Sequence, residues 1–228
     1  MIGIIAAMEK EMTLLKAHIE NPSVKEISGI SFISGTVHGK DVVAAVCGIG
    51  KVNAAVCAQS LILSYAPDCI INTGVAGSLT NKLHICDVVA ADRLVQHDVD
   101  TTALGDAPGF VSTVNTIYFP TDPTVTAALL EAISSLGING ITGTVATGDQ
   151  FVCKTEDKRR ISENFGAVAC EMEGGAIAHV CYVNKCPCAI VRAISDGADE
   201  DADMSYAAFA EKAADNSARA LIEFIKRF

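Results

Sequence analysis

Positive charge is what this sequence has least of. Its 17 lysines and arginines stand against 27 aspartates and glutamates, a net charge of −10. A general nucleic-acid binder needs a basic face to displace counterions, so no nucleic-acid partner is expected. An anionic membrane surface is an unsuitable partner for the same reason. No apolar run reaches the roughly 18 residues of a membrane span. The opening "MIGIIAAMEKEM" lacks the basic start and long apolar stretch of a signal peptide, which points to a soluble, cytoplasmic protein. No linker rich in proline, glycine or serine divides the chain, so residues 1–228 read as one domain. Paired-cysteine motifs are missing too. The nine cysteines are odd in number and mostly sit among apolar residues, and "CPC" (Cys186 to Cys188) lacks zinc-site spacing and a second pair. Reduced, buried thiols are expected, with no metal. "DEDAD" (Asp199 to Asp203) lacks the central glycine and closing glutamate of a calcium loop and reads as a solvated acidic turn.

Half the residues are hydrophobic, enough for a sizeable core. Short β-branched runs alternate with helical patterns. Strands are predicted at "IGIIAA", "ISFISGTV", "DVVAAVCG", "CIINTG", "DVVAAD", "ITGTVAT", "AVACE" and "CAIVRAIS", the second and third turning near "HGKD". Helices are predicted at "EKEMTLLKAHIE", "KVNAAVCAQSLILSY", "DPTVTAALLEAISSLG", "EDKRRISENF", "GGAIAHVCYVN" and the closing "SYAAFAEKAADNSARALIEFIKRF", capped by Ser205. Alternation of this kind indicates an α/β fold with a largely parallel sheet, its strands apolar throughout because both faces are covered. Thr101 to Asp122 is the one long irregular stretch, of the sort that serves function or an interface.

Ligands of open α/β sheets bind outside the carboxyl ends of the strands. Met8, Glu9 and Glu11 follow the first strand there, and "CGIGK" and "GVAG" follow the next two sites of interest. "TGDQF", then Glu171, Met172 and Glu173, then Ser195 and Asp196 follow the later strands. Each has a simpler reading. Glu9 and Glu11 suit a helix N-terminus, "GIGK" and "TGVAG" suit tight turns, and His97 and His179 suit structural roles. Arg192, inside an apolar strand, could pair with Glu171 or Glu173. Met8 and Glu11 share a helix face.

Taken in order, "IGIIAAMEKEMTLL", "GIGKVNAA", "DCIINTGVAG", "HDVDTTALG", "TGDQFV", "CEMEGGAIAHVC" and "VRAISDGAD" resemble bacterial 5'-methylthioadenosine/S-adenosylhomocysteine nucleosidases, of the nucleoside phosphorylase–hydrolase superfamily. The resemblance implies a single-domain, three-layer α/β fold with a central twisted mixed sheet flanked by helices. It implies hydrolysis of the bond between adenine and a 5'-substituted ribose, with no cofactor and a small nucleoside as partner. Asp196 matches the acid that donates to purine nitrogen 7, and Glu11 the carboxylate that activates water. Phe151 and the Val152 backbone match the adenine site, with Ser195 orienting the acid. Glu173 matches the acceptor of the ribose hydroxyls, Met172 the packing on the sugar, and Glu171 with Arg192 its charged surroundings. Met8, Ile49 and Tyr206 match the wall of the 5' pocket. The resemblance also implies a homodimer, in which the segment Thr101 to Gly109, with Leu104, closes the neighbouring subunit's site. Val75, Leu104, Asp106 and Tyr206 depart from the family pattern, so a phosphorylase, a 6-amino-6-deoxyfutalosine nucleosidase or a non-catalytic nucleoside binder stand as alternatives. Retained Glu11, Glu173 and Asp196 weigh against the last, since binding alone needs neither acid nor base.

Overall fold

The computed structural model describes residues 1–197 and 202–228, the side chains at 202–205 and 207 excepted; the acidic run at 199–203 therefore falls outside what can be described as a turn. In chain order the elements are β1 (Ile2–Ala6), α1 (Glu9–Lys16), β2 (Glu20–Ile27), β3 (Ile30–Val37), β4 (Lys40–Val46), α2 (Lys51–Tyr65), β5 (Cys69–Ser78) and β6 (Val88–Gln96). Then come β7 (Tyr118–Pro120), α3 (Pro123–Ser135), β8 (Gly140–Thr147), α4 (Thr155–Phe165), β9 (Ala167–Glu171), α5 (Gly174–Asn184), β10 (Cys188–Asp196) and α6 (Ala202–Arg227). Two single 3-10 turns, Thr102–Leu104 and Ser112–Val114, interrupt the long irregular stretch.

Local chemistry sets several boundaries. Asp122 caps α3, its carboxylate accepting from the amides of Thr124 and Val125 at 2.9 and 3.0 Å, with Pro123 at the first helical position. α6 begins at Ala202, ahead of the serine predicted to cap it. α1 is shorter than its sequence pattern, because Glu20 already belongs to β2. That strand was not anticipated: it is polar and exposed nearly throughout, and only its pairing with β3 marks it as a strand.

The ten strands form one mixed sheet in which parallel pairs such as β1–β4, β1–β5, β5–β10 and β6–β8 meet antiparallel pairs such as β6–β10 and β5–β9. The expectation of a largely parallel sheet gives way to a mixed one. β10 pairs with β5 on one edge and β6 on the other, so β5, β10, β6, β8 and β9 close into a ring. β1, β5 and β10 are buried on both faces. Alternate side chains pack to opposite sides. Ile4, Ile71 and Val191 join Leu15, Leu129 and Phe224 of α1, α3 and α6, while Ile5, Ile70 and Ile190 join Leu61 and Ile177 of α2 and α5. Helices thus cover both faces.

One edge of β5 is shared. β1 occupies it as far as Asn72, and β9 takes it up again at Gly77. Between them, residues 73–76 have no strand partner on that edge, and the functional cavity opens at this gap.

Candidate active site

The cavity measures about 370 Å³ and is lined by the ends of β1, β5, β9 and β10 and by the segments that follow them. At the gap in β5 the amide of Val75 is met by a side chain instead of a strand: it donates to Oε1 of Glu11 at 3.1 Å. Oε2 of the same carboxylate accepts from the amides of Ala7 and Met8 at 3.1 and 2.9 Å. Glu11 is only 2% exposed. Three backbone donors satisfy most of what its burial removes, which is how an ion survives there. Gly74 makes the approach possible. A Cβ at that position would collide with the Arg192 guanidinium and lie 2.7 Å from Glu11 Oε1.

Glu171 and Glu173, two residues apart at the end of β9, serve different ends. Glu171 accepts from the amides of Glu173 and Gly174 at 2.9 and 2.6 Å, from the Thr147 hydroxyl and from Arg192. Both its oxygens are engaged in holding the start of α5, where a carboxylate suits the exposed amides. Glu173 keeps fewer partners. Its Oε1 accepts from the Gly50 amide at 2.9 Å, and its Oε2 lies 3.4 Å from Arg192 Nη2. Burial pushes the Glu173 carboxyl up to about 7, against the pull of Arg192, with the like charges of Glu171 and Glu11 adding to the rise. Arg192, 1% exposed, also donates to Asn72 Oδ1 at 2.5 Å. Its two candidate carboxylate partners are thus both real: it pairs with Glu171 closely and with Glu173 more loosely.

The "GIGK" turn reaches the site through its backbone. Gly50 holds φ +97°, a conformation that favours glycine, and from it presents the amide bonded to Glu173. Lys51 anchors the turn, its ammonium on Asp98 at 2.7 Å and its amide on Asp149 at 2.7 Å. "TGVAG", by contrast, is no turn; β5 runs through it to Ser78.

Asp196 lies at the other end of the cavity, 1% exposed, with Oδ1 accepting from the Ser195 hydroxyl at 2.8 Å. Lys158 of α4 stands 3.5 Å from its Oδ2 and donates to the Gly197 carbonyl. Sequence reasoning missed this lysine because α4 reads as a solvated polar helix. Yet Lys158, Ile161 and Phe165 are its buried residues, at the spacing of one helix face.

Of the predicted site residues, Met8, Glu11, Ile49, Phe151, Glu171, Met172, Glu173, Arg192, Ser195, Asp196 and Tyr206 line this cavity. Val152 lines a small adjoining recess beside Phe151 and Asp196. Leu104 does not; it is 83% exposed on the irregular stretch. Val75 contributes both its amide and its side chain to the wall. Asp106 lies away from it, accepting from the Thr101 hydroxyl at 2.7 Å.

The histidines sit outside the cavity. His179 stacks on Phe119 at 4.5 Å between ring centroids and meets Gln96 through Nδ1, and burial lowers its pKa as it does that of His97. All nine cysteines are free, and burial pushes Cys57, Cys69 and Cys170 up to about 12. Among the described residues no cluster of three or more His, Cys, Asp or Glu could hold a metal ion, and no helix is long and apolar enough to cross a membrane.

Comparison with known proteins gives this arrangement a context. The family model described as the phosphorylase superfamily matches residues 1–226. A 5'-methylthioadenosine/S-adenosylhomocysteine nucleosidase of Shewanella halifaxensis is 41% identical over 228 residues, 99% of each chain. The crystal structure of a nucleosidase of the same name from Neisseria meningitidis, in complex with methylthio-immucillin-A, superposes with a TM-score of 0.96 at 39% identity, over 100% of this chain and 99% of that one. The native structure of a futalosine hydrolase from Helicobacter pylori superposes with a TM-score of 0.95 at 37% identity, over 100% of this chain and 97% of that one.

Proposed function

The chain belongs to the phosphorylase superfamily and, within it, to the 5'-methylthioadenosine/S-adenosylhomocysteine nucleosidases, and from that membership and the cavity's geometry we propose how it acts. It is a nucleosidase: it hydrolyses the N-glycosidic bond of 5'-methylthioadenosine and S-adenosylhomocysteine, releasing adenine and the 5-substituted ribose. The observation that carries the mechanism is the single cavity that holds Asp196 at one end and Glu11 and Glu173 at the other.

Adenine is a poor anionic leaving group, and the sugar it leaves becomes cationic. Asp196 donates to purine nitrogen 7 as the bond breaks. Its carboxylate is then left beside the Lys158 ammonium, which favours the charge that appears there. Phe151 stacks on the base and the Val152 backbone reads its edge. Glu173 accepts hydrogen bonds from the ribose hydroxyls and faces the developing cation. Protonated up to about pH 7 by its burial, it becomes the better acceptor once substrate donors reach it. Arg192 limits the repulsion among three carboxylates, and Met172 packs on the sugar. Glu11 orients and deprotonates the attacking water. Its backbone partners fix its direction, and Val75 leaves the water without a hydroxyl there to help hold it. Met8, Ile49 and Tyr206 wall the 5' arm.

The protein acts as one domain over residues 1–228, in the cytoplasm, as a homodimer. Thr101 to Gly109 of each subunit, with Leu104 exposed at its tip, closes the other's 5' pocket. The exposed Leu104, and the exposed Val52, Val56 and Val183 of α2 and α5, support the pairing of two copies. Release of adenine from 5'-methylthioadenosine with and without phosphate tests the reaction. Equal rates are expected, because Glu11 occupies the nucleophile side; strict phosphate dependence with a ribose 1-phosphate product would make it a phosphorylase. A second reading, hydrolysis of futalosine-type nucleosides, is favoured by the likeness to the Helicobacter pylori hydrolase.

A further inference from the structure

The cavity mouth farthest from Asp196 carries a charge that hydrolysis of 5'-methylthioadenosine does not use. Lys10, on the first turn of α1, extends its ammonium to the Tyr206 hydroxyl at 3.2 Å and over the Tyr206 ring at 4.6 Å from the centroid. That hydroxyl in turn donates to Met8 Sδ at 3.5 Å, and the ring meets Phe151 edge-on at 5.5 Å. Met8, Phe151 and Tyr206 all line the cavity, so the ammonium stands on its rim, held there by an aromatic ring that is part of the wall.

The surrounding charges are otherwise spoken for. Glu9 pairs with Lys16 at 2.6 Å, and Glu11 is bound to three amides inside the cavity. Among the described residues Lys10 takes part in no ion pair; its recorded partners are the hydroxyl and the ring. A half-buried cation facing an apolar pocket mouth, in a chain of net charge −10, has a definite chemical preference. A methylthio group offers it nothing. A carboxylate at the end of a longer 5' arm would accept a hydrogen bond from the ammonium and from the tyrosine hydroxyl together.

Resting on the nucleosidase reading above, we infer that Lys10, positioned by Tyr206, is a specificity residue for nucleosides whose 5' substituent ends in a carboxylate. Two sources share that chemistry: the amino-acid carboxylate of S-adenosylhomocysteine and the aryl carboxylate of a futalosine-type nucleoside. The ammonium reads the anionic end of the arm, while the chemistry proceeds unchanged at the other end of the cavity.

The test compares kcat/KM for four substrates in the wild type, Lys10→Met, Lys10→Arg and Tyr206→Phe. The substrates are 5'-methylthioadenosine, 5'-propylthioadenosine, S-adenosylhomocysteine and 6-amino-6-deoxyfutalosine. The readout is the ratio of each carboxylate substrate to 5'-propylthioadenosine, which cancels any general loss of folded enzyme. Lys10→Met is expected to lower that ratio about five- to tenfold, the range for a partly exposed ion pair with a hydrogen bond. Lys10→Arg should keep it, and Tyr206→Phe should lower it by a smaller factor. A fall for S-adenosylhomocysteine alone, or for the futalosine-type substrate alone, identifies which carboxylate is read. An unchanged ratio for both in Lys10→Met overturns the inference. Wild-type enzyme that releases no adenine from 5'-methylthioadenosine would instead overturn the nucleosidase reading beneath it.

Discussion

Glu173→Gln should yield a protein that is more stable and less active, and the gain in stability should depend on pH in a defined way. In the folded chain the Glu173 carboxyl is raised from 4.5 to about 7, first by burial and then by the charges of Glu171 and Glu11. Below pH 4.5 both folded and unfolded chains hold the proton, and the shift contributes nothing. Between 4.5 and 7 the unfolded chain releases a proton that the folded chain retains. Stability therefore falls as pH rises through this window, and the full loss is in place above 7. At about 1.4 kcal/mol for each pKa unit, the ionised side chain costs the folded state about 3 kcal/mol. Glutamine has no charge to bury and can still accept from the Gly50 amide. Urea unfolding at pH 4.5 and 8.5 should show the variant level with the wild type at the lower pH and ahead by about 3 kcal/mol at the higher. Turnover of 5'-methylthioadenosine should meanwhile drop roughly 10²–10³-fold, the usual scale for removing a preorganised charge opposite a transition state. A stability difference that does not change with pH, or a variant weaker than the wild type at pH 8.5, would refute the reasoning.

Asp196→Asn should lower turnover roughly 10²–10⁴-fold while circular dichroism stays native; near-normal turnover would remove Asp196 from the chemistry. Gly74→Ala sets a methyl group against the Arg192 guanidinium and 2.7 Å from Glu11 Oε1, and should cost about 1–3 kcal/mol in urea unfolding together with most of the activity. Wild-type values on both counts would mean the charged cluster can move aside. Leu104→Asp should raise KM for 5'-methylthioadenosine and weaken self-association more than it lowers kcat. A fully active monomer in light scattering at assay concentration would contradict the shared pocket.

Much of the fold was legible because apolar residues recur with the period of the element they occupy. α2, α5 and β9 begin and end where their patterns say, and Asp122 announces the start of α3. β2 was illegible for the opposite reason: exposed on both faces, it has no buried set to create a pattern. The length of β5 was hidden by its glycines. They suggest a turn, and only the approach of Arg192 and Glu11 to Gly74 explains why a strand carries them. At the site, sequence order and residue type located the carboxylates but not the division of labour between Glu171 and Glu173. That division depends on which oxygen meets Arg192, Thr147 or a helix amide, and these partners come from distant parts of the chain. Lys158 shows a signal that was present and unused, since its spacing to Ile161 and Phe165 marks one face even though its charge suggests solvent.

The ring of strands also sets an order of assembly. β10 is the final strand of the chain, yet it closes the ring against β5 and β6 and carries both Arg192 and Asp196. Such long-range pairings are slow to form, because distant segments must first be brought together. A chain leaving the ribosome from its N-terminus displays Glu11 early and Glu173 later. It has neither the acid nor the arginine that steadies the carboxylates until β10 emerges and α6 packs over it. A nascent or C-terminally truncated chain is consequently inert toward nucleosides, and catalytic competence arrives in the same step that completes the core.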